Sequence, residues 1–305
     1  MPSSGANPEK RGTIITRSGS QNCDVVNVHN AQPPFTNLNI EPMPQNSIGL
    51  PVDGHVHFHT LERVAPTLDA AAANFRAMSR GSDRPLGAVL LTQTANERVF
   101  EALLASAPVP GWTFVPARDE PETLIARQDT ATVAVICGRQ VRTCDGLEVL
   151  ALGTRQEFPD GLTLTEAVDV VQKSGALTVL PWGFGKWLGE RGKQVATMLE
   201  ARGADALFVG DNGGRATLMG MPALIRTSAR KGFRVLSGTD PLPVAGDYRR
   251  VGGFGFLADI EVPEEAPWRA LRAWLVARRA SPEPYGRACG PVRFAVNQVA
   301  LRLGR

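Results

Sequence analysis

The sequence of 305 residues lacks most of the features that mark specialised classes of protein. It contains four cysteines and no CxxC pair, which disfavours both a disulfide framework and a zinc-thiolate site. Its 33 Lys and Arg residues barely exceed its 30 Asp and Glu residues, so the excess of positive charge typical of nucleic-acid-binding proteins is missing. No run approaches about 18 consecutive apolar residues, and the first residues contain no apolar secretory signal. We therefore expect a globular, cytoplasmic protein with neither a membrane nor a nucleic-acid partner.

The common glycine-rich and nucleophile motifs are also missing. The sequence contains no GxxxxGK[ST] phosphate loop, no GxGxxG after the first predicted strand and no GxSxG nucleophile elbow. Their absence excludes the usual patterns of nucleoside triphosphatases, dinucleotide-binding domains and serine hydrolases. Any catalysis must therefore use another kind of site.

Composition changes near residue 49. Residues 1–48 are rich in Ser, Asn, Gln, Pro and Gly and show no apolar periodicity, which predicts a flexible N-terminal arm. From Pro51 onward, short apolar runs alternate with helical patterns, as they do in β/α units. We expect residues 49–262 to form one β/α domain and residues 263–305 to form a helical extension packed on it.

The second half contains a regular repeat of strand-like runs. Apolar runs centred on Val149, Thr178, Leu207 and Leu236 follow one another at intervals of 29 residues, which suits one strand, one helix and two loops. Thr163-Leu-Thr-Glu166 is a capping-box pattern that predicts the start of a helix. With about seven to nine candidate strands, the sequence predicts an α/β fold in which seven or eight β/α units close into a distorted barrel of the TIM type.

The segment Asp53-Gly-His-Val-His-Phe-His59 is the most informative part of the chain. It holds three of the four histidines. Because alternate residues of a strand point to the same side, His55 and His57 would converge at a strand end, where two imidazoles can share one divalent metal. His59 would share that face if the strand continued, but we expect it to enter the following loop.

A metal held by two histidines also needs carboxylates or water as ligands. Barrel enzymes build their sites at the carboxyl ends of their strands, so acidic residues at those ends are the candidates. Glu148 lies in the apolar Gly-Leu-Glu-Val-Leu, Asp211 follows an apolar run, and Asp240 ends Ser-Gly-Thr-Asp. Asp211 and Asp240 could each instead cap a turn. Glu148 must be paired or bound, because it is a carboxylate inside an apolar strand.

In this order and spacing, His55-Val-His57, Gly-Leu-Glu148-Val-Leu and Ser-Gly-Thr-Asp240 resemble the motifs of PHP-domain proteins. This polymerase and histidinol phosphatase superfamily is itself similar to the metal-dependent amidohydrolases. The resemblance, which covers residues 51–257, implies a distorted β/α barrel with about one to three divalent metals that activate water for phosphoester hydrolysis. It also implies that His55, His57 and Asp240 are metal ligands and that Glu148 is a ligand able to bridge two metals.

The sequence departs from the family pattern at two places. Where the family has His-Pro at the end of a middle strand, this chain has Leu180-Pro-Trp, and where the family has Asp-x-His, this chain has Asp240-Pro-Leu242. Two expected imidazoles are therefore missing. We expect one or two ions of Zn, Mn or Fe, or an emptied site, instead of a full trinuclear cluster.

The segment that replaces His-Pro carries a distinctive set of side chains. Trp182-Gly-Phe-Gly-Lys-Trp187 places two indoles and an ammonium group on a glycine-rich loop, and Arg215 lies one β/α unit later. Lys186 and Arg215 could hold a phosphate or carboxylate while Trp182 and Trp187 cover the rest of the substrate. The alternative is that the glycines form turns, the indoles close the barrel and both cations are solvated.

These observations lead to two hypotheses about function. The first is a metal-dependent hydrolase for a small anionic substrate, a phosphoester before an amide or a lactone. In it a metal activates water, and Asp211 or Asp240 accepts the proton. The second is a non-catalytic PHP-like module that binds a ligand or a partner and whose metal site is degenerate. The HxH, Glu148 and Asp240 favour the enzyme, and the missing histidines favour the module.

Overall fold

The computed structural model describes residues 49–78 and 86–302, so the predicted arm, residues 1–48, lies outside the described residues. The strands are β1 (Leu50–Val56), β2 (Gly87–Leu91), β3 (Thr113–Pro116), β4 (Thr123–Gln128), β5 (Ala131–Ile136), β6 (Gly138–Arg142), β7 (Glu148–Leu152), β8 (Leu177–Trp182), β9 (Phe208–Asp211), β10 (Val235–Ser237), β11 (Phe254–Ala258) and β12 (Glu283–Gly286). The α-helices are α1 (Val64–Met78), α2 (Val99–Leu104), α3 (Leu164–Lys173), α4 (Gly189–Arg202), α5 (Ala223–Arg230), α6 (Pro267–Ala277) and α7 (Pro291–Arg302).

Two sheets form the framework of the described chain. The first has seven strands in the order β12-β11-β1-β2-β5-β4-β3, and the second has five in the order β10-β9-β8-β7-β6. β1, β2 and β5 run parallel to one another, as do β8, β9 and β10. The other pairs are antiparallel. Helices connect β1 to β2, β8 to β9 and β9 to β10, as parallel neighbours require, because their connection must cross back over the sheet.

The predicted TIM-like barrel of seven or eight β/α units is wrong, because neither sheet closes on itself. Closure would need β1 to pair along its length with β10, the last parallel strand. Instead β11 pairs antiparallel with residues 50–52 of β1, and β10 remains at the edge of the second sheet. The two sheets approach each other through the bridge between Gln93 and Arg139 and through a hydrogen bond of 2.8 Å from Asp240 N to His55 O.

The regular spacing of apolar runs in the second half of the sequence does not indicate the direction of each strand, and β7 runs opposite to the expected direction. β7 is antiparallel to both β6 and β8, because the chain turns back tightly at residues 143–147. The prediction of successive parallel strands is therefore wrong for β7. Glu148 opens its strand instead of ending it. Since Leu150 pairs with Val179, that end of β7 lies beside the carboxyl end of β8.

Three apolar cores fill the structure. One lies between the first sheet and α1 and α2, and another lies between the second sheet and α3, α4 and α5. The third joins both sheets to α6 through Trp268, Leu271 and Leu275. α3 begins at the predicted capping box, which is confirmed: Thr163 Oγ1 accepts from Glu166 N, and the Glu166 carboxylate accepts from Thr163 N. These bonds satisfy two backbone amides that a helix start would otherwise leave without partners.

The C-terminal segment contributes to a sheet as well as to a core. Of the residues predicted to form a helical extension, 263–305, the described ones contain α6, β12 and α7. β12 pairs with β11 and so extends the first sheet. Within the part of the chain that the structure describes, no helix combines the length and the apolar character that crossing a bilayer requires.

Candidate metal centre

The two histidines of the HxH motif come together at the carboxyl end of β1. The strand ends at Val56, and its alternation brings His55 and His57 to one side, as expected of residues two apart. Their Nε2 atoms lie 3.2 Å apart, and both residues are buried, with exposed fractions of 3% and 6%. Two imidazole nitrogens at this distance either share one proton or face one cation together.

Asp240 reaches these histidines from the second sheet, where it follows β10. Its backbone N–H donates to the His55 carbonyl at 2.8 Å, and its φ of 45° lies in the left-handed region, which is uncommon for a residue with a side chain. The close approach depends on glycine at position 238, because a Cβ there would lie 2.3 Å from His55 N. The backbone conformation of this loop therefore serves to bring a carboxylate to β1.

Asp53, in β1, fixes the loop that carries Asp240 through hydrogen bonds. Its buried carboxylate accepts hydrogen bonds from Thr239 N at 2.8 Å, Thr239 Oγ1 at 2.6 Å and Gly252 N at 2.9 Å. Burial raises the pKa of Asp53 to about 6, against the effect of these hydrogen bonds. Asp53 thus connects β1 to Thr239, the residue directly before Asp240. Its role in the Asp53–His59 segment is to fix the loop that carries Asp240.

The three candidate ligand atoms form a compact triangle. Asp240 Oδ1 lies 3.5 Å from His55 Nε2 and 3.6 Å from His57 Nε2, and the two nitrogens are 3.2 Å apart. Ligand atoms at about 2.0 to 2.2 Å from a tetrahedral ion are separated by about 3.3 to 3.6 Å. The other carboxylate oxygen, Oδ2, accepts a hydrogen bond of 2.8 Å from Asn212 Nδ2, which orients Oδ1 toward the imidazoles. His55, His57 and Asp240 are therefore a group that could hold a metal ion.

The protonation states of two members of the triangle, His55 and Asp240, suit a cation. Burial lowers the pKa of His55 to about 4, so its imidazole is neutral at pH 7 and has a lone pair to offer. Burial disfavours the charged form of Asp240, but the neighbouring His55, His57 and Lys186 outweigh it and lower the pKa of that carboxyl. A neutral imidazole beside an ionised carboxylate is the state that metal binding requires.

Glu97, which the sequence analysis missed, contacts His57 on its other nitrogen. His57 Nδ1 lies 3.5 Å from Glu97 Oε2, and His59 Nδ1 lies 3.0 Å from Glu97 Oε1. Burial opposes the charge of His57, but the hydrogen bond to Glu97 and the charge of Asp240 raise its pKa above the ordinary value. The same two histidines lower the pKa of Glu97, which burial alone would raise. Glu97 lies in the loop after β2, the parallel neighbour of β1, and this position was the signal that could have found it.

His57, His59 and Glu97 form a second group that could hold a metal ion. His59 Nε2 lies 2.8 Å from the carbonyl oxygen of Pro241, which can accept but not donate, so this nitrogen carries a proton and His59 could ligate only through Nδ1, the atom that faces Glu97. His57 has one lone pair when neutral and can ligate through Nε2 or Nδ1, but not through both. A metal-bound histidine commonly donates its other N–H to a carboxylate. With His57 Nε2 in the first group, Glu97 occupies that orienting position.

Glu148 and Lys186 form an ion pair next to the first group. Gln140 Nε2 also donates to Glu148 Oε1 at 3.2 Å. The carboxylate that the sequence analysis found out of place in an apolar strand is therefore paired. Glu148 is close enough for its charge to raise the pKa of His57, after the larger effects of burial, Glu97 and Asp240. It belongs to neither group of candidate ligands among the described residues.

Asp211 and Arg215 are likewise partners of each other. Arg215 Nη1 lies 2.9 Å from Asp211 Oδ1 and Arg215 Nη2 lies 2.9 Å from Oδ2, while Arg215 Nε donates to Gly220 O at 2.8 Å. Burial raises the pKa of Asp211, and the charge of Arg215 opposes that rise. Lys186 and Arg215, predicted to hold one anion together, thus each face a carboxylate of the protein.

The two predicted substrate-covering indoles lie in an apolar core. Trp182 and Trp187 are each 8% exposed and pack with the side chains between the second sheet and α3, α4 and α5. Since neither sheet forms a barrel, the indoles do not close one, and they pack within this core instead. The structure brings His55, His57 and Asp240 together, places Glu148 and Lys186 beside them, and puts Asp211 with Arg215.

No protein-family model and no curated protein matches the sequence. The solved structure of PsfC from Pseudomonas syringae PB-5123 is similar to this chain, with a TM-score of 0.52 and 15% sequence identity. The similarity covers 83% of this chain and 97% of PsfC. At this level of identity the likeness concerns the fold alone.

Proposed function

We propose that the protein is a metal-dependent hydrolase that acts on a small anionic substrate, a phosphoester before an amide or a lactone. The observation that carries this proposal is the triangle of His55 Nε2, His57 Nε2 and Asp240 Oδ1, with edges of 3.2 to 3.6 Å. Two imidazoles and one carboxylate suit Zn, Mn or Fe, and three protein ligands leave coordination positions for water and substrate.

In this proposal His55, His57 and Asp240 hold the ion, and Glu97 keeps His57 oriented through Nδ1. The bound ion would polarise the scissile group and lower the pKa of a water toward about 7. Of the two candidate proton acceptors, Asp240 fits better, because it lies at the triangle, whereas Asp211 is paired with Arg215. The proton would pass to Asp240 and leave with the product.

Positive charge near the triangle supports an anionic substrate. Beside burial and the two histidines, Lys186 and Arg250 contribute to the altered pKa of Asp240 and therefore lie within electrostatic reach of it. Lys186 is 35% exposed on its side chain, so its ammonium can exchange Glu148 for a ligand oxygen. A phosphoester, with its negative charge, matches this environment better than a neutral amide or lactone.

The experiment compares metal content and hydrolysis in matched variants. Protein purified without chelator should contain about one equivalent of Zn, Mn or Fe and hydrolyse a chromogenic phosphate monoester faster than the matching amide or lactone. His55→Ala and His57→Ala should lose the metal, whereas His59→Ala should keep it, because His59 is not a member of the proposed ligand triangle of His55, His57 and Asp240. Folded wild-type protein that binds none of these metals would overturn the proposal.

The second candidate function is the non-catalytic binding module. It is favoured by the pairing of Glu148 with Lys186 and of Asp211 with Arg215, which neutralises two carboxylates that a larger metal cluster could have used. The module predicts folded, metal-free protein with no turnover of any of the three substrates. Metal analysis therefore separates the two functions.

A further inference from the structure

Four arginines line a cleft of about 420 Å³, and of these the proposed function uses only the charge of Arg250. They are Arg249, Arg250, Arg287 and Arg293, and we call this feature the arginine cleft. Arg249 and Arg250 end a short 3-10 helix (Asp247–Arg250), Arg287 follows β12, and Arg293 lies in the first turn of α7. The C-terminal segment thus completes a basic surface that begins at Arg249, 38 residues before Arg287.

The charge in the arginine cleft is poorly balanced. Asp247 is fully buried and lies 3.5 Å from both Arg250 Nη1 and Arg293 Nε. Its carboxylate also accepts hydrogen bonds from Leu242 N and Asn297 Nδ2, so its charge is shared among several donors. The residues described as lining the cleft include no Asp or Glu. One buried carboxylate is therefore shared by two of the four guanidinium ions.

Two of the arginines are oriented by the protein and two remain available. Arg250 and Arg293 have side-chain exposures of 17% and 34%, and their contacts with Asp247 hold them in position. Arg249 and Arg287 are exposed, and within the described residues neither has a carboxylate partner. Convergent guanidinium groups repel one another, and an oxyanion that accepts paired N–H bonds relieves that repulsion. Arginines scattered on a convex surface would not need such a ligand.

We propose that the arginine cleft binds an oxyanion group, a phosphate or a carboxylate, at a position separate from the metal ligands. Thr239 lines the cleft and directly precedes Asp240, so the bound oxyanion would lie next to the metal centre. The cleft would then select substrates that carry a second anionic group besides the one being hydrolysed. This last step rests on the proposed function, whereas oxyanion binding itself does not.

The test is calorimetric titration of inorganic phosphate, and separately of malonate, into the full-length protein. Arg249→Ala/Arg287→Ala removes two cations that have no buried carboxylate partner, so the variant should fold. Charge-assisted hydrogen bonds predict a loss of phosphate affinity of about tenfold or more, and added salt should weaken binding further. Arg226→Ala on α5 is the matched control for loss of an exposed arginine and should bind phosphate as the wild type does.

The same titrations in a His57→Ala background separate this inference from the hydrolase proposal. If the cleft binds phosphate, the double arginine variant weakens binding in both backgrounds and leaves the metal content of the wild type unchanged. Tighter binding of malonate than of phosphate would assign the group to a carboxylate. Three results would overturn the inference: no phosphate or malonate binding by the wild type, binding that His57→Ala abolishes but the arginine variant leaves intact, or an equal loss in Arg226→Ala.

Discussion

Asp211 and Asp240 occupy similar places in the chain and have opposite surroundings. Each lies at the carboxyl end of a parallel strand of the second sheet, Asp211 as the last residue of β9 and Asp240 shortly after β10. Asp211 meets an arginine four residues later in its own loop. Asp240 meets two histidines that belong to the other sheet. The difference lies in the partner that each carboxylate meets.

The chemistry of the partner decides what each aspartate can do. A guanidinium ion has no lone pair and keeps its charge, so the pair of Asp211 and Arg215 is complete and closed to a metal. A neutral imidazole offers a lone pair, so Asp240 with His55 and His57 forms a set of donors that could bind a cation. The same residue type at equivalent strand ends therefore yields a structural ion pair in one case and a candidate metal centre in the other.

The largest expected effect comes from exchanging each aspartate for asparagine. Asp211→Asn leaves Arg215, which is 8% exposed, without its counter-charge, and should lower the free energy of unfolding by about 3 kcal/mol. In metal-free protein, Asp240→Asn keeps a residue that tolerates a positive φ, so the free energy of unfolding should change by less than about 1 kcal/mol. Urea denaturation measures both changes.

Metal content should show the reverse order. Asp211→Asn should keep the metal of the wild type, whereas Asp240→Asn should lose it, because one of three ligand atoms is weakened. The assignment of Asp211 to a structural ion pair and of Asp240 to the metal would be contradicted if folded Asp211→Asn lost its metal or if Asp240→Asn kept it.

The second prediction sharpens the comparison by testing the carboxylate behind His57. Glu97→Gln removes the charge that orients His57 through Nδ1 but preserves the size of the side chain. Outer carboxylates of this kind affect metal affinity by about 10- to 100-fold, so we expect a loss in that range with the stoichiometry unchanged at saturation. Competition with a chromogenic chelator gives the affinity.

Glu101→Gln is the control for this prediction. Glu101 is a neighbouring carboxylate that pairs with Arg139 and contacts neither histidine in the described structure. Its variant should bind metal as the wild type does. Equal affinities for Glu97→Gln and the wild type would show that His57 needs no orienting carboxylate.

The local elements of the fold could be predicted from the sequence, but the pairing of the strands could not. Periodicity and the capping box located β8 and the start of α3, because these features depend on residues close together in the chain. The direction of β7 depends on the tight turn before it, and the neighbour of β1 depends on β11, which lies about 200 residues later. A constant spacing of runs carries no information on either point.

The candidate site divides in the same way. Convergence of His55 and His57 follows from the alternation of one strand. The position of Asp240 beside them depends on the contact of its loop with β1 in the other sheet. Glu97 reaches His57 only because β2 lies next to β1, so its role depends on tertiary structure. The pairing of Asp211 with Arg215 is close in sequence, yet a spacing of four residues in a loop does not predict contact as it does in a helix.

The smallest expected effect concerns Glu148. Like Asp211 it pairs with a cation, Lys186, and like Asp240 it lies at the candidate metal centre. Its side chain is 11% exposed and that of Lys186 is 35% exposed, so water screens the pair on one side. Glu148→Gln should therefore lower the free energy of unfolding by less than about 1 kcal/mol. We also expect its metal content to equal that of the wild type, because the carboxylate belongs to neither candidate ligand group among the described residues.

The PHP resemblance implies that Glu148 is a ligand and therefore that Glu148→Gln loses metal. A double-mutant cycle with Lys186→Met distinguishes a ligand from an ion-pair partner. If Lys186 is the partner that matters, Glu148→Gln and Lys186→Met should show a coupling of about 0.2 to 1 kcal/mol in stability and none in metal affinity. If Glu148 is a ligand, Glu148→Gln should lose metal as His57→Ala does, and any gain in metal affinity from Lys186→Met should disappear when Glu148→Gln is added. Loss of metal by Glu148→Gln, together with a gain from Lys186→Met that requires Glu148, would move Glu148 from the class of Asp211 to the class of Asp240.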